Sequence, residues 1–440
     1  MRVLIVGAGI AGIGAALYAR REGFEVDLVD ASATPGGLLA PVDFLGLACD
    51  RGSHRAHADA HPALFELTAD ADWQPVPRRG VLVLGGRHVP YPLSATSFAR
   101  ALGLRGSAAM ALGWLARPPQ LRRFRAWERD RGAAAPDEGF EAFVLARVGE
   151  VAYQRFYAPY VEKVWGLPPR ELSRSVARQR VSTSSPLAAL LGALRGRVSQ
   201  ASFLYPRAGL APVVDALMKR ALAAGVRVTF RRPATREDIA RAPHDRVIFT
   251  APLRALAPEA RLEHRGLYLL HFAFPSGTLA ATDTWYAPEA RYWFGRVSQP
   301  ARFASALAAE GREVLAVEVP EGRWGPAVDF LARRDELVAQ LVDAAILPRG
   351  APVLDARQTW VPDVYPLYRR GWIDRWTAAM ADVRGLERVL PAGRQGLFLH
   401  CNMDHALAIA RDAVTHLARG ADAAAWIDGC ARYLDLRVRD

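Results

Sequence analysis

The chain has 440 residues, of which 51% are hydrophobic and 23% charged, with a formal net charge of +12. That length exceeds what one hydrophobic core ordinarily holds, so two interleaved or sequential domains are expected, and the composition excludes a disordered or fibrous chain. The positive charge is almost all arginine, since Lys163 and Lys219 are the only lysines. It forms no dense basic tract and accompanies no recognition motif, which argues against nucleic acid; an anionic small-molecule substrate or a membrane surface stays compatible with it.

In chain order, Arg2 to Val6 reads as a short buried strand, Ala11 to Glu22 as a helix and Glu25 to Asp30 as a second strand. The first turn of this βαβ opening carries Gly7, Gly9 and Gly12 in the spacing GxGxxG. Gly7 permits the tight turn, Gly9 lets backbone N–H groups approach a pyrophosphate, and Gly12 allows close packing of helix on strand. Asp30, eighteen residues beyond Gly12, stands where a carboxylate accepts hydrogen bonds from ribose hydroxyls. The glycine spacing and the acidic strand end also argue against reading the apolar N-terminus as an export signal, and for a mature fold beginning at residue 2. A second pair, Gly36-Gly37, follows six residues past Asp30 and would bring backbone close to the pyrophosphate of a long, extended dinucleotide.

From about Pro92 to Val198 the pattern is mostly helical, and Trp114, Leu115, Leu121 and Phe124 can line one side of a broken helix. That side would pack on the core or, given the neighbouring arginines, lie on a membrane surface. Strands are expected at VRVTF (226–230) and DRVIFTAP (245–252), and antiparallel ones at Leu267 to Phe274 and Glu313 to Val319. Near the C-terminus, GRQGLFLHCNMDHALAIARDA (393–413) reads as a loop leading into a helix. Asn402 or Asp404 would cap it, and Ala406, Ile409, Ala410 and Val414 would give it an apolar side. Cys49, Cys401 and Cys430 are widely spaced and form no CxxC pair. Neither disulfides nor a metal site are expected, and a cytoplasmic location is. No apolar run has the length of a membrane span.

Several motifs in the same order resemble one family nearly end to end. The opening glycines, Asp30 and Gly36-Gly37 look like flavoproteins of the amine oxidase and protoporphyrinogen oxidase type, and DRGSH (50–54) is similar to their Asp-x-Gly-x-His segment. GRHVPYPL (86–93), FYAPYVEKVWGLPPRELS (156–173) and YPRAGLAPVVDAL (205–217) resemble more closely a protoporphyrinogen-oxidase-like subgroup that overlaps UDP-galactopyranose mutase-like proteins. The resemblance implies an α/β chain with a Rossmann-type FAD-binding domain built from discontinuous segments, and a substrate domain with an antiparallel sheet and a helical insertion. FAD binding would draw on 1–90, 201–260 and 376–440, a mainly helical cap on 91–200, and the substrate sheet on 261–375. By analogy Gly7, Gly9, Ile10, Ala11, Gly12, Asp30, Gly36, Gly37 and Leu38 hold the dinucleotide half of FAD. Gly393, Arg394, Asn402, Met403 and Asp404 close the site, with the helix start favouring the negative charge of reduced flavin.

The catalytic candidates are His54, His400 and Lys163. The family places the residue matching His54 near the flavin, where it is either a contact and proton carrier or a structural histidine. Leu399, His400 and Cys401 replace the arginine and tyrosine that relatives of the subgroup often carry before Asn-Met-Asp, and Pro35 stands where many oxidases have arginine. His400 is either an acid or base at the flavin face or a packing residue. Tyr91, Tyr157, Tyr160, Trp165, Tyr205 and Tyr365 line a substrate cavity or the core. The leading expectation is an oxidoreductase passing hydride from an organic substrate to flavin N5. The alternatives are a redox-neutral mutase acting on a nucleotide-linked sugar through reduced flavin, and a flavin-binding accessory subunit without catalysis.

Overall fold

A computed structural model describes residues 1–52, 54–91, 137–180, 202–436 and 438, together with 103, 105, 106, 108, 109, 112 and 113. Trp114, Leu115, Leu121 and Phe124 lie outside the described residues. The chain divides into two compact units: residues 1–74, 204–264 and 371–440 form the first, and residues 75–203 and 265–370 the second.

The first unit is built on a five-stranded parallel sheet. Across it run Val389–Pro391, Arg246–Phe249, Arg2–Val6, Glu25–Val29 and Arg227–Thr229. Each neighbouring pair is parallel, with Ile5 opposite Ile248 on one side and Leu28 on the other. A sheet covered on both faces needs apolar residues throughout, and Val3, Ile5, Leu28, Val247, Ile248, Phe249 and Leu390 are essentially inaccessible. The C-terminal strand Val389–Pro391 lies beside Arg246–Phe249, which in turn flanks Arg2–Val6, so the C-terminal segment completes a sheet begun at residue 2.

The helix Ile10–Arg21 packs on this sheet, and the helices Ala211–Ala223 and Met403–Ala418 pack on that helix. The first leaves the glycine turn, and a Cβ on Gly12 would run into the Gly7 carbonyl oxygen, so strand and helix meet only because that position is glycine. A Cβ on Gly14 would strike the Leu407 side chain, which assigns Gly14 to the approach of the first and last helices. The last helix begins at Asn402, whose backbone is extended, and buries Ala406, Ile409, Ala410 and Val414 as its apolar spacing demands.

The second unit holds a seven-stranded mixed sheet in the order Asp355–Pro366, His264–Pro275, Arg312–Pro320, Arg296–Ser298, Thr284–Tyr286, Gly80–Leu84, Arg87–Tyr91. The expected antiparallel pair is present, with Leu270 opposite Val317, but Trp285 and Tyr286 run parallel to Val81 and Leu82. Phe272, Phe274, Trp285, Phe294, Val317 and Leu341 fill its core. Helices at Gly139–Val148 and Ala158–Trp165 flank a single wide π turn over Tyr153–Tyr157. Among the described residues no helix is long and apolar enough to cross a membrane, and no group of His, Cys, Asp and Glu has the arrangement of a metal site.

Candidate functional site

In the first unit the two glycine turns meet. Gly36 N–H donates to the Ala8 carbonyl at 2.8 Å, and Gly9 and Gly36 bridge in parallel. Gly36 and Gly37 both have positive φ, at 111° and 57°, and a Cβ on Gly37 would lie 3.2 Å from the Gly9 Cα. A side chain at Gly37 would press on the Gly9 turn, and one at Gly36 would run into Ala40 of its own turn. Asp30 fastens the junction: its Oδ2 accepts from the Ala8 N–H at 2.5 Å and its Oδ1 from the Ser32 N–H at 2.6 Å. Each carboxylate oxygen keeps a second lone pair as an acceptor. Ile10 begins the helix and Ala11 is buried, the turn donating Ile13 N–H to the Gly9 carbonyl. Leu38 follows in a short 3-10 turn, Gly37–Leu39. A helix start behind glycine turns without side chains is a cradle for a diphosphate.

The C-terminal segment approaches the same turn. A Cβ on Gly393 would come within 2.6 Å of the Ala11 Cβ. Arg394 Nη1 donates to the Cys401 carbonyl at 2.8 Å, closing the loop that carries Leu399 and His400. His400 is buried, and so is Cys401, whose thiol is pushed up to about 12 by burial, so it stays protonated and inert. Asn402 caps the last helix with its backbone N–H 3.5 Å from His405 Nδ1. Met403 and Asp404 are buried in the first turn, and Asp404 Oδ2 accepts the His61 N–H at 2.8 Å. Burial lowers the pKa of His405, against the opposing pull of Asp404.

The DRGSH segment contributes more than its histidine. His54 Nε2 lies 3.0 Å from the Arg51 carbonyl, which fits a ring docked on its own loop. Asp50 is buried and bound to Tyr205 Oη at 2.6 Å and the Leu210 N–H at 3.1 Å. Burial pushes its carboxyl up to about 6, even though Tyr205 and Leu210 pull the other way. Tyr205, one of the cavity candidates, thereby serves as a fully buried tie in the first unit. Arg51 was not singled out by sequence reasoning. Its Nη1 donates to the Gly37 carbonyl at 3.3 Å, while its Nε is buried without a hydrogen-bond partner among the described residues.

The second unit gathers the other candidates. Lys163 Nζ donates to the carbonyls of Ala287 at 2.7 Å and Phe294 at 3.1 Å, and burial brings its pKa down to about 7. Tyr91 packs on Tyr286 with ring centroids 4.7 Å apart, and Trp165 meets Tyr365 edge-on at 5.8 Å. Tyr157 is raised by burial, partly offset by Arg147, and Tyr160 stands within the Ala158–Trp165 helix. Arg296, facing Tyr365 and Tyr286, is paired through Nε and Nη2 with Glu318 at 2.8 Å. Burial opposes its charge, yet Glu318 leads the forces that hold its pKa well above the usual value. No sequence motif marked this ion pair.

A sequence profile of the NAD(P)-binding Rossmann-like domain matches residues 5–71. Among curated proteins, hydroxyneurosporene desaturase of Rubrivivax gelatinosus is 49% identical over 51 residues, 12% of this chain and 10% of that protein. The chain therefore matches about a tenth of that relative's length. Among solved structures, reduced UDP-galactopyranose mutase superposes with a TM-score of 0.78 at 20% identity, over 99% of this chain and 98% of that one. A putative protoporphyrinogen oxidase from Exiguobacterium gives 0.66 at 18% identity, over 95% and 99%. Cyclohexylamine oxidase from Brevibacterium oxydans gives 0.66 at 16% identity, again over 95% and 99%. The chain shares their fold. Its opening segment is Rossmann-like, and the chain as a whole has the fold of these structures.

Proposed function

We propose that the protein is an FAD-dependent oxidoreductase in which an organic substrate gives hydride to the flavin. The observation that carries this reading is the junction of Gly9 with Gly36 and Gly37, tied by Asp30, at the start of the Ile10–Arg21 helix. Gly7, Gly9, Gly12, Gly36 and Gly37 would accept the pyrophosphate, with Ile10, Ala11 and Leu38 as backbone neighbours and Asp30 on the adenosine ribose. Gly393, Arg394 and the Asn402–Asp404 helix start would close the flavin end. FAD, when bound, supplies the hydride-accepting ring; the protein binds, orients and excludes water from it.

His54 and His400 would serve this site by position. The His54 ring is docked through Nε2 on the Arg51 carbonyl, and a proton carried by its imidazole is what this role would use. Lys163, bound to two carbonyls, would hold the 287–294 segment in place, and a proton-carrying role would require it to break those bonds. Anaerobic mixing with the true substrate should bleach the flavin. Turnover without any flavin reduction would refute the hydride version.

A second reading is favoured by the likeness in fold, over almost the whole chain, to a reduced UDP-galactopyranose mutase. It is a redox-neutral enzyme acting on a nucleotide-linked sugar through reduced flavin. Activity that appears only after dithionite reduction, without net electron consumption, would select it.

A further inference from the structure

Segments 3–19 and 31–40, which carry both glycine turns, contain no lysine or arginine. A cation reaches the junction from elsewhere in the chain: Arg51, whose Nη1 bonds to the Gly37 carbonyl. Gly37 packs directly on Gly9, so this guanidinium is anchored one residue contact away from the turn that opens the helix. Among the described residues Arg51 has no carboxylate partner, and its Nε–H is shielded from solvent with no acceptor. Burial alone depresses its pKa, with no anion offsetting the cost. Its neighbour Asp50 bonds instead to Tyr205 and Leu210. A half-buried guanidinium held by a neutral carbonyl, with an inward N–H to spare, has the chemistry of a group awaiting a phosphate: planar, always charged and able to donate in a fork.

We infer that Arg51 is a cofactor-binding residue whose guanidinium bonds the pyrophosphate at the Gly9–Gly37 junction. This rests on the FAD reading and extends it to a residue outside both glycine motifs.

The test is equilibrium binding of FAD, ADP and adenosine to apoprotein, for the wild type, Arg51→Gln and Arg51→Lys, with apoprotein melting as the check on folding. Arg51→Gln should weaken FAD and ADP by about ten- to hundredfold and leave adenosine, which has no phosphate, unchanged. Arg51→Lys keeps the charge but loses the fork, and should weaken ADP by a smaller, severalfold amount. If Arg51→Gln does not fold, the lysine variant decides. ADP affinity unchanged in the folded variants, or an equal loss for ADP and adenosine, overturns the assignment. A wild-type apoprotein that binds none of the three overturns the FAD reading itself, a different outcome from either.

Discussion

One site in each unit handles charge in an opposite way. In the second, Arg296 and Glu318 cancel one another at 2.8 Å, with 23% and 5% of their side chains exposed. In the first, Asp50 and Arg51 are adjacent in sequence but answered by neutral groups, a tyrosine hydroxyl, a backbone N–H and a carbonyl. An ion pair leaves no net charge to offer a ligand. A charge held by dipoles keeps its full attraction for an incoming ion, at the cost of standing desolvation. The difference places the unspent charge beside the glycine turns.

The largest effect should come from breaking the ion pair. Glu318→Gln strands Arg296 and should cost about 2–4 kcal/mol in denaturant unfolding, below the limit for a fully buried pair because Arg296 keeps some exposure. Replacing both partners with apolar residues of similar volume should recover most of that loss. A single substitution as mild as the double would deny that the pair balances buried charge.

Next come two pH dependences of opposite sign. Asp50 is raised to about 6, so its protonated form belongs to the fold. Its contribution is full below the unfolded carboxyl's pKa of about 3.9 and is lost as pH rises through about 6, a change of about 2–3 kcal/mol. His271, buried in the strand His264–Pro275 of the second unit, is lowered to about 4 by burial first and Arg357 second. Its contribution is present above about 6.5 and lost as pH falls towards 4, again by about 2–3 kcal/mol. In the wild type the two slopes oppose one another between pH 4 and 6. Asp50→Asn should therefore make the protein lose stability faster on acidification, and His271→Leu should make it gain. Unfolding curves at several pH values read both, and parallel shifts without a change of slope would contradict them.

The smallest expected effect is Tyr205→Phe, at about 1–2 kcal/mol near neutral pH, where the hydroxyl donates to an ionised Asp50. Below pH 5 the carboxyl is protonated and the loss should shrink. A loss that does not vary with pH would mean that Tyr205 matters by packing alone.

How much of this was legible in the sequence follows from the range of the forces involved. The Gly7–Gly12 turn was readable because backbone geometry demands glycine there, and Asp30 because its strand end is fixed by a short βαβ unit. The last helix was readable from Asn402 and the spacing of Ala406, Ile409, Ala410 and Val414. The strands at 267–274 and 313–319 showed as apolar runs, and they lengthen by a few residues in the fold. The parallel step of Trp285 and Tyr286 on Val81 and Leu82 was not readable, since alternation gives the face of a strand but not its neighbour. Nor could Arg296–Glu318, Asp50–Tyr205 or the reach of Arg51 to Gly37 be seen. Each depends on partners brought together by the whole fold, and an arginine in an arginine-rich chain carries no local sign of what it will meet.

Purified protein should be yellow and release FAD on heat denaturation in a ratio near one per chain, and apoprotein should regain the same spectrum when FAD is added. Colourless protein that takes up no FAD in equilibrium dialysis would contradict the central claim.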